Sequence, residues 1–269
     1  MFELLLHFLL LVLFFLVLSI IWRTNARKYI SSGTVASAYD AWTQDKLLER
    51  LWGEHIHLGF YPSGKKNIDF RKAKVQFVHE LVQWSGLDKL PRGSRILDLG
   101  CGIGGSSRIL AEYYGFNVTG ITISPAQVKR ARELTPSGIN CSFQVMDALD
   151  LKFEDGSFDA VWSVEAGAHM NDKTRFADEM LRTLRPGGYM ALADWNSRDL
   201  KAYPPSFIEN LVLKQLLEQW VHPNFISINE FGNILSTNKI VQEEVLLKIG
   251  ILILTLHGMT PLLKELEDL

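Results

Sequence analysis

The sequence predicts an α/β domain: a parallel sheet with helices on both faces, entered through a small helical segment and preceded by one long apolar helix. Three observations carry this. From Arg95 onward, short apolar runs alternate with amphipathic runs of helical length. Such alternation is what βαβ units look like in sequence. The stretch "ILDLGCGIGGS", Ile96 to Ser106, places four glycines within six residues between the first strand and its helix. Ahead of all this, Phe2 to Trp22 is apolar except for Glu3, His7 and Ser19.

The apolar segment 2–22 would span roughly 30 Å as a helix, about one hydrocarbon core. A cleaved signal peptide would need a basic start and a small-residue cleavage site. Here Arg23, Arg27 and Lys28 follow the run instead. A buried core helix would show one polar face, and none is present. The expectation is a single transmembrane anchor, with the following charges placing the rest of the chain on the cytoplasmic side.

Residues 23–90 read as a helical cap. Ala36 to Leu51 and Ile68 to Trp84 carry helical spacing, and between them "WGEHIHLGFY" gathers rings and histidines before Pro62 and Gly64 break it. The main domain, 91–244, follows. "RILDL", "NVTGITI", "CSFQVMD", "FDAVWSV" and "YMALADW" read as strands; "GSSRILAEYYG", "SPAQVKRARELT" and "KTRFADEMLRTL" read as helices. Ser124 and Pro125 form a helix start, and "RPGG" reads as a turn.

Composition excludes some partners. The net charge is −2, so no basic field argues for nucleic acid. Cys101 and Cys141 are the only cysteines, which fits a reducing compartment better than a disulfide framework. No clustered Cys/His set is present, so no metal is expected. Nothing in the sequence calls for an obligate protein partner.

A glycine loop that ends a strand and opens a helix is where doubly wound sheets bind nucleotides. Glycine lets the backbone turn sharply and approach a ligand closely. The loop alone does not choose the ligand, since NAD enzymes seat a pyrophosphate on a similar one. Two carboxylates point to S-adenosylmethionine. Asp98 precedes the loop, poorly placed for a pyrophosphate but suited to an ammonium group. Asp147 ends the third strand, where it can accept from an adenine amino group; its plainer reading is a strand-end turn residue.

"ILDLGCGIGGSSRILA", "VTGITISPAQVKRA", "MDALDLKFEDGSFDAVWSVEAGAHM" and "LRTLRPGGYMALADW" resemble the successive motifs of class I S-adenosylmethionine-dependent methyltransferases. More narrowly, they are similar to the tocopherol and sterol methyltransferase group. "YDAWTQDKLLERLWGEHIHLGFY" and "WSVEAGAHM" resemble the bacterial-type members that C-methylate prenylated benzoquinols. The resemblance covers about Val35 to Glu244. It implies a Rossmann-like fold, S-adenosyl-L-methionine as cofactor, a prenylquinol lipid as substrate, and a thylakoid or plasma membrane as location. The rival within the group is an enzyme that O-methylates gamma-tocopherol or one that methylates sterols. The rival outside it is an inactive, membrane-tethered module that binds the cofactor.

By the same resemblance Asp98, Gly100, Gly102 and Gly104 would hold the methionyl part and ribose, and Asp147 and Ala148 the adenine. Ser163 and Glu165 would face the sulfonium. Many class I enzymes carry an acid at the end of the second strand; Thr122 stands in that region here, so Ile123 and Gln127 take the ribose. The chemistry needs a group that helps the quinol lose a proton. Glu165, His169, His55 and His57 are the candidates for base or orienter, with one of the last two serving packing instead. Trp52, Phe60 and Tyr61 could line a pocket for the tail or be plain core.

After Glu244 the chain reads "VLLKIGILILTLHGMTPLLKELEDL", which departs from the family. A one-base shift lets residues 260–269 read Asp-Ser-Ile-Ile-Lys-Gly-Ile-Arg-Arg-Pro, close to the family pattern. Residues 245–269 are therefore expected to be an aberrant, frameshifted tail that leaves the C-terminal strands of the sheet missing; the alternative is a divergent tail with "ILILTL" as a strand.

Overall fold

The computed structural model describes residues 2–25, 28–62, 68–239, 250–253 and 262–265. The first helix, α1 (Phe2–Asn25), forms where the apolar run predicts it. Its role is corrected. Among the described residues no helix is long and apolar enough to cross a membrane. The transmembrane anchor, the membrane as a partner and the membrane-anchored, cytoplasm-facing location fall with that finding.

The cap holds α2 (Ser32–Gln44), α3 (Leu47–Trp52) and α4 (Phe70–Ser85). The single helix expected over 36–51 is split in two, because Lys46 adopts a left-handed φ of 55° between the pieces. Helix α4 begins where Asp69 accepts from the Arg71 and Lys72 amides at 3.0 Å, and ends at Gly86 in the left-handed region. The first is ordinary N-cap chemistry and the second an ordinary glycine stop.

The main sheet then builds in order: β1 (Arg95–Leu99), α5 (Gly105–Tyr114), β2 (Asn117–Thr122), α6 (Pro125–Leu134), β3 (Cys141–Val145), β4 (Phe158–Val164), α7 (Lys173–Thr183) and β5 (Leu184–Ala193). The strands run parallel in the order β3-β2-β1-β4-β5. "RPGG" does not end the chain's path as a turn. It lies inside β5, and the pairing with β4 absorbs it as a register shift between Phe158 and Ala160. Helices α8 (Phe207–Trp220) and α9 (Ile228–Ser236) follow. Of the stretch 245–269, the described pieces are two short strands, β6 (Gly250–Ile253) and β7 (Leu262–Glu265). They pair with each other antiparallel and do not join the five-stranded sheet. The rest of that stretch lies outside the described residues.

Strand alternation sorts the core into two layers. Ile96 of β1 and Trp162 of β4 pack under Val78 and Val82 of α4 and Leu110 of α5. Leu97 and Leu99 face the other way, onto Phe176 and Met180 of α7 and Leu235 of α9. With both faces covered, ligands can reach only the strand ends, and the C-terminal ends of β1 and β4 lie side by side at the point where strand order reverses. Cys101 and Cys141 are both free.

Candidate active site

A cavity of about 510 Å³ opens at those strand ends. Asp98, Gly100 and Gly102 line it from the first loop, Ile123 and Gln127 from the second strand's end, and Asp147 and Ala148 from the third's. Glu165 and His169 reach it from the fourth, and His55 and His57 from the cap. Two predicted residues do not line it. Gly104 starts α5 and packs against the Phe143 ring and Arg108, which would meet any Cβ there at 2.7 and 2.8 Å. Ser163 lies between two cavity-lining neighbours, Trp162 and Val164, so strand alternation turns it away; its hydroxyl donates to the Leu99 carbonyl at 3.1 Å.

The donor set fits S-adenosylmethionine. Asp98 is 2 % exposed. Its carboxyl accepts from the Ser107 hydroxyl at 2.5 Å, and burial pushes its pKa up to about 7. A carboxylate sunk this deeply calls for a cation, and an amino-acid ammonium supplies one. Gly100 turns at φ +74° beside Ala166, whose Cβ would lie 2.2 Å from a side chain there. Gly102, at φ +55°, lines the cavity and has open space where a Cβ would point, so no side chain screens its backbone there. Thr122, standing where an acid was expected, donates to Gln127 Oε1 at 2.6 Å and so sets the amide's orientation.

The cap is tied to this loop system by charge and hydrogen bonds. Asp40 accepts from the Ser124 hydroxyl at 2.5 Å and from the Ala126 amide at 3.0 Å, at the N-terminus of α6. A carboxylate is favoured there by the helix dipole. Glu49 pairs with Arg130, and Glu54 with Arg108 at 2.6 Å. These contacts bring Tyr39 of α2 over the cavity.

Glu165 stands at the end of β4 in a left-handed conformation, φ 53°. A non-glycine residue held there costs about 1–3 kcal/mol. Its carboxylate accepts from the Leu58 amide of the cap at 2.9 Å and from the Trp195 side chain. Burial raises its pKa, and those donors hold the rise in check. Sequence reasoning missed Lys74, which is buried and sends its Nζ to the Trp52 and His55 carbonyls at 3.2 and 2.8 Å. Burial lowers its pKa to about 8, against the pull of Glu165. A buried lysine on an amphipathic helix gives no signal in sequence. We expect Lys74→Met to leave two carbonyls unpaired, loosen the cap loop and lower kcat/KM about tenfold, while cofactor affinity stays within about threefold of wild type. Equal kcat/KM in the two proteins would contradict this.

The histidines are held neutral. His57 Nδ1 donates to the Leu58 carbonyl at 2.7 Å, so its Nε2 is free to accept from His55 Nδ1 at 3.1 Å. His169 Nε2 accepts from the Tyr39 hydroxyl at 2.9 Å, its Nδ1 faces the Val221 carbonyl at 3.4 Å, and its ring stacks on His222 at 4.1 Å. Burial drives all four down, His55 and His222 to about 3, His57 and His169 to about 4. In the unfolded chain they would titrate near 6.5. The unfolded state therefore binds more protons between those values, and stability is lost as pH falls from about 6.5 toward about 4. Asp98 and Asp194, both raised to about 7 by burial, and Glu165, also raised, work in the opposite direction, three carboxyls against four rings. Urea midpoints should drop modestly between pH 7 and pH 5; a rise over that range would contradict the burial of these rings.

Residues 97–192 match the family model of the methyltransferase domain. The chain is 57% identical over 221 residues to the 2-methyl-6-phytyl-1,4-hydroquinone methyltransferase of Synechocystis, a match that covers 82% of this chain and 70% of that protein. The chain belongs to the same methyltransferase family. It is also 36% identical to the chloroplastic tocopherol O-methyltransferase of Arabidopsis thaliana, covering 72% of this chain and 59% of that one. Among solved structures, geranyl diphosphate C-methyltransferase from Streptomyces coelicolor A3(2) superposes with a TM-score of 0.61 at 22% identity, over 77% of this chain and 78% of that one. At that identity the likeness shows the fold alone. This methyltransferase thus has the class I Rossmann-like sheet, and S-adenosylmethionine is its methyl donor.

Proposed function

We propose that this methyltransferase moves a methyl group from S-adenosylmethionine to a ring carbon of a prenylated benzoquinol of the 2-methyl-6-phytyl-1,4-hydroquinone class. The observation that carries the reading is Glu165. A buried carboxylate at the end of β4, held by the cap through the Leu58 amide, faces the cavity beside the rings of Tyr39, Trp52 and His169.

When bound, the cofactor would supply an electrophilic methyl on a sulfonium. Asp98 would hold its ammonium, Gln127 and the Ile123 backbone its ribose, and Asp147 and Ala148 its adenine. Glu165 accepts the proton of a quinol hydroxyl, which makes a ring carbon nucleophilic. That carbon would take the methyl as the donor's carbon–sulfur bond breaks and a neutral thioether leaves; its own proton then moves to the ring oxygen, which restores the aromatic quinol, and Glu165 releases the proton it holds to solvent with the products. Tyr39, already donating to His169 Nε2, presents its oxygen to the second hydroxyl. Because His169 has both nitrogens engaged, it acts through Tyr39. His57 has both ring nitrogens engaged and shapes the wall, while His55 donates through Nδ1 to His57 and keeps Nε2 as its acceptor, so Glu165 rather than the cap pair is assigned as the base. The cap closes water out of the site.

The test is incubation with methyl-labelled S-adenosylmethionine and a panel of prenylated quinols and tocopherols, followed by product identification. Label on a ring carbon of the quinol is the expected result. Label on a tocopherol oxygen would shift the assignment to the O-methylating relatives. No transfer to any member would remove prenylquinols as substrates.

A further inference from the structure

Helix α8 begins outside the protein and ends in the cavity. At its start Phe207, Ile208 and Val212 are 77%, 72% and 63% exposed. At its end Leu216 and Trp220 line the cavity. Ile208, Val212, Leu216 and Trp220 recur at every fourth position, so they form one ridge along the helix. From first to last the ridge runs about 18 Å. Phe207 and Leu211 flank it on the next row.

The exposed end is well built. Ser206 and Glu209 cap each other, with the Ser206 amide donating to Glu209 Oε2 at 2.8 Å. Arg198 clamps the same carboxylate at 2.8 and 3.1 Å. Large apolar side chains are thus displayed on a fixed helix, and a contiguous apolar patch of this kind marks a binding surface. The cavity behind it is about 510 Å³, a size suited to one drug-sized ligand. It has to take the cofactor and the aromatic ring together, which leaves an isoprenoid chain no room inside.

We propose that the Ile208–Val212–Leu216–Trp220 ridge is the seat of the substrate's isoprenoid tail, which leaves the cavity past Trp220 and lies along α8. The proposal rests on the prenylquinol reading above. Trp42, edge-on to Trp220 at 5.8 Å, frames the exit. The ring end of the substrate is read by polar groups inside, and the tail by apolar contact outside. Discrimination by tail length therefore belongs to α8 and not to the catalytic loops.

The experiment compares the full chain with the double variant Ile208→Asp, Val212→Asp and with the conservative pair Ile208→Leu, Val212→Leu. Each receives a phytylated quinol and its short-tailed analogue, both delivered from cyclodextrin and again from phosphatidylcholine vesicles. From cyclodextrin, the Asp pair should lose about tenfold or more in kcat/KM for the phytylated quinol. It should keep the short-tailed rate and the KM for S-adenosylmethionine, and the Leu pair should keep everything. An equal loss on both substrates, or no loss on the phytylated one, overturns the proposal. A loss seen only from vesicles also overturns it, because the patch would then be reading a lipid surface. If the unaltered protein methylates neither quinol but still binds S-adenosylmethionine, the prenylquinol reading itself fails and takes the proposal with it.

Discussion

Glu165→Gln is expected to lower kcat by about a hundredfold to ten-thousandfold, the range for loss of a positioned general base. The amide keeps the volume of the carboxylate and can still accept from the Leu58 amide, so the cap should stay docked. What it cannot do is take a proton. Affinity for S-adenosylmethionine should remain within about threefold of wild type, because the interaction lost is one that grows toward the transition state. Rapid-quench turnover beside calorimetric cofactor binding separates the two. Near-normal turnover would remove Glu165 from the mechanism and move attention to Tyr39, where Tyr39→Phe deletes the hydroxyl that His169 holds.

Asp98→Asn should weaken S-adenosylmethionine binding by roughly 10- to 200-fold, the equivalent of one charge-assisted hydrogen bond of about 1.5–3 kcal/mol. The same change should not destabilise the unliganded protein. Asp98 is buried with its pKa raised to about 7, so the folded state holds its proton where the unfolded chain has released it. Its contribution to stability therefore declines as pH rises from about 4 to about 7 and stays unfavourable above that. Asparagine removes the charge, and the melting temperature without ligand at pH 8 should hold or rise while binding collapses. In the native protein, affinity should fall as pH is lowered through about 7, because the ammonium needs the ionised carboxylate. A cofactor affinity in Asp98→Asn equal to wild type at pH 8 would sink this assignment.

What the sequence determined alone was the local part. The strand-loop-helix order places Asp98, Gly100 and Gly102 together because they are neighbours in the chain, and a parallel sheet then brings Ile123, Asp147 and Glu165 to the same edge. Each sits just past a strand, and strand ends coincide in such a sheet. The helix start at Ser124 was legible for the same reason, since a cap acts over three or four residues.

Tertiary packing decided the rest. Tyr39 meets His169 across 130 residues of chain, and Asp40 meets Ser124 across 84. No local pattern encodes those contacts; they exist because the cap lies over the strand ends. His55 and His57 were visible as candidates, but only the folded chain shows that His57 spends both ring nitrogens on its neighbours. Lys74 reads in sequence as one more solvated lysine, and burial against two carbonyls changes its meaning. Apolar composition in 2–22 predicted a helix correctly, but among the described residues no helix is long and apolar enough to cross a membrane. Local chemistry acts over a turn or a strand and can be read in a line. Sites assembled from distant elements depend on which faces pack together, and that is fixed only when the chain folds.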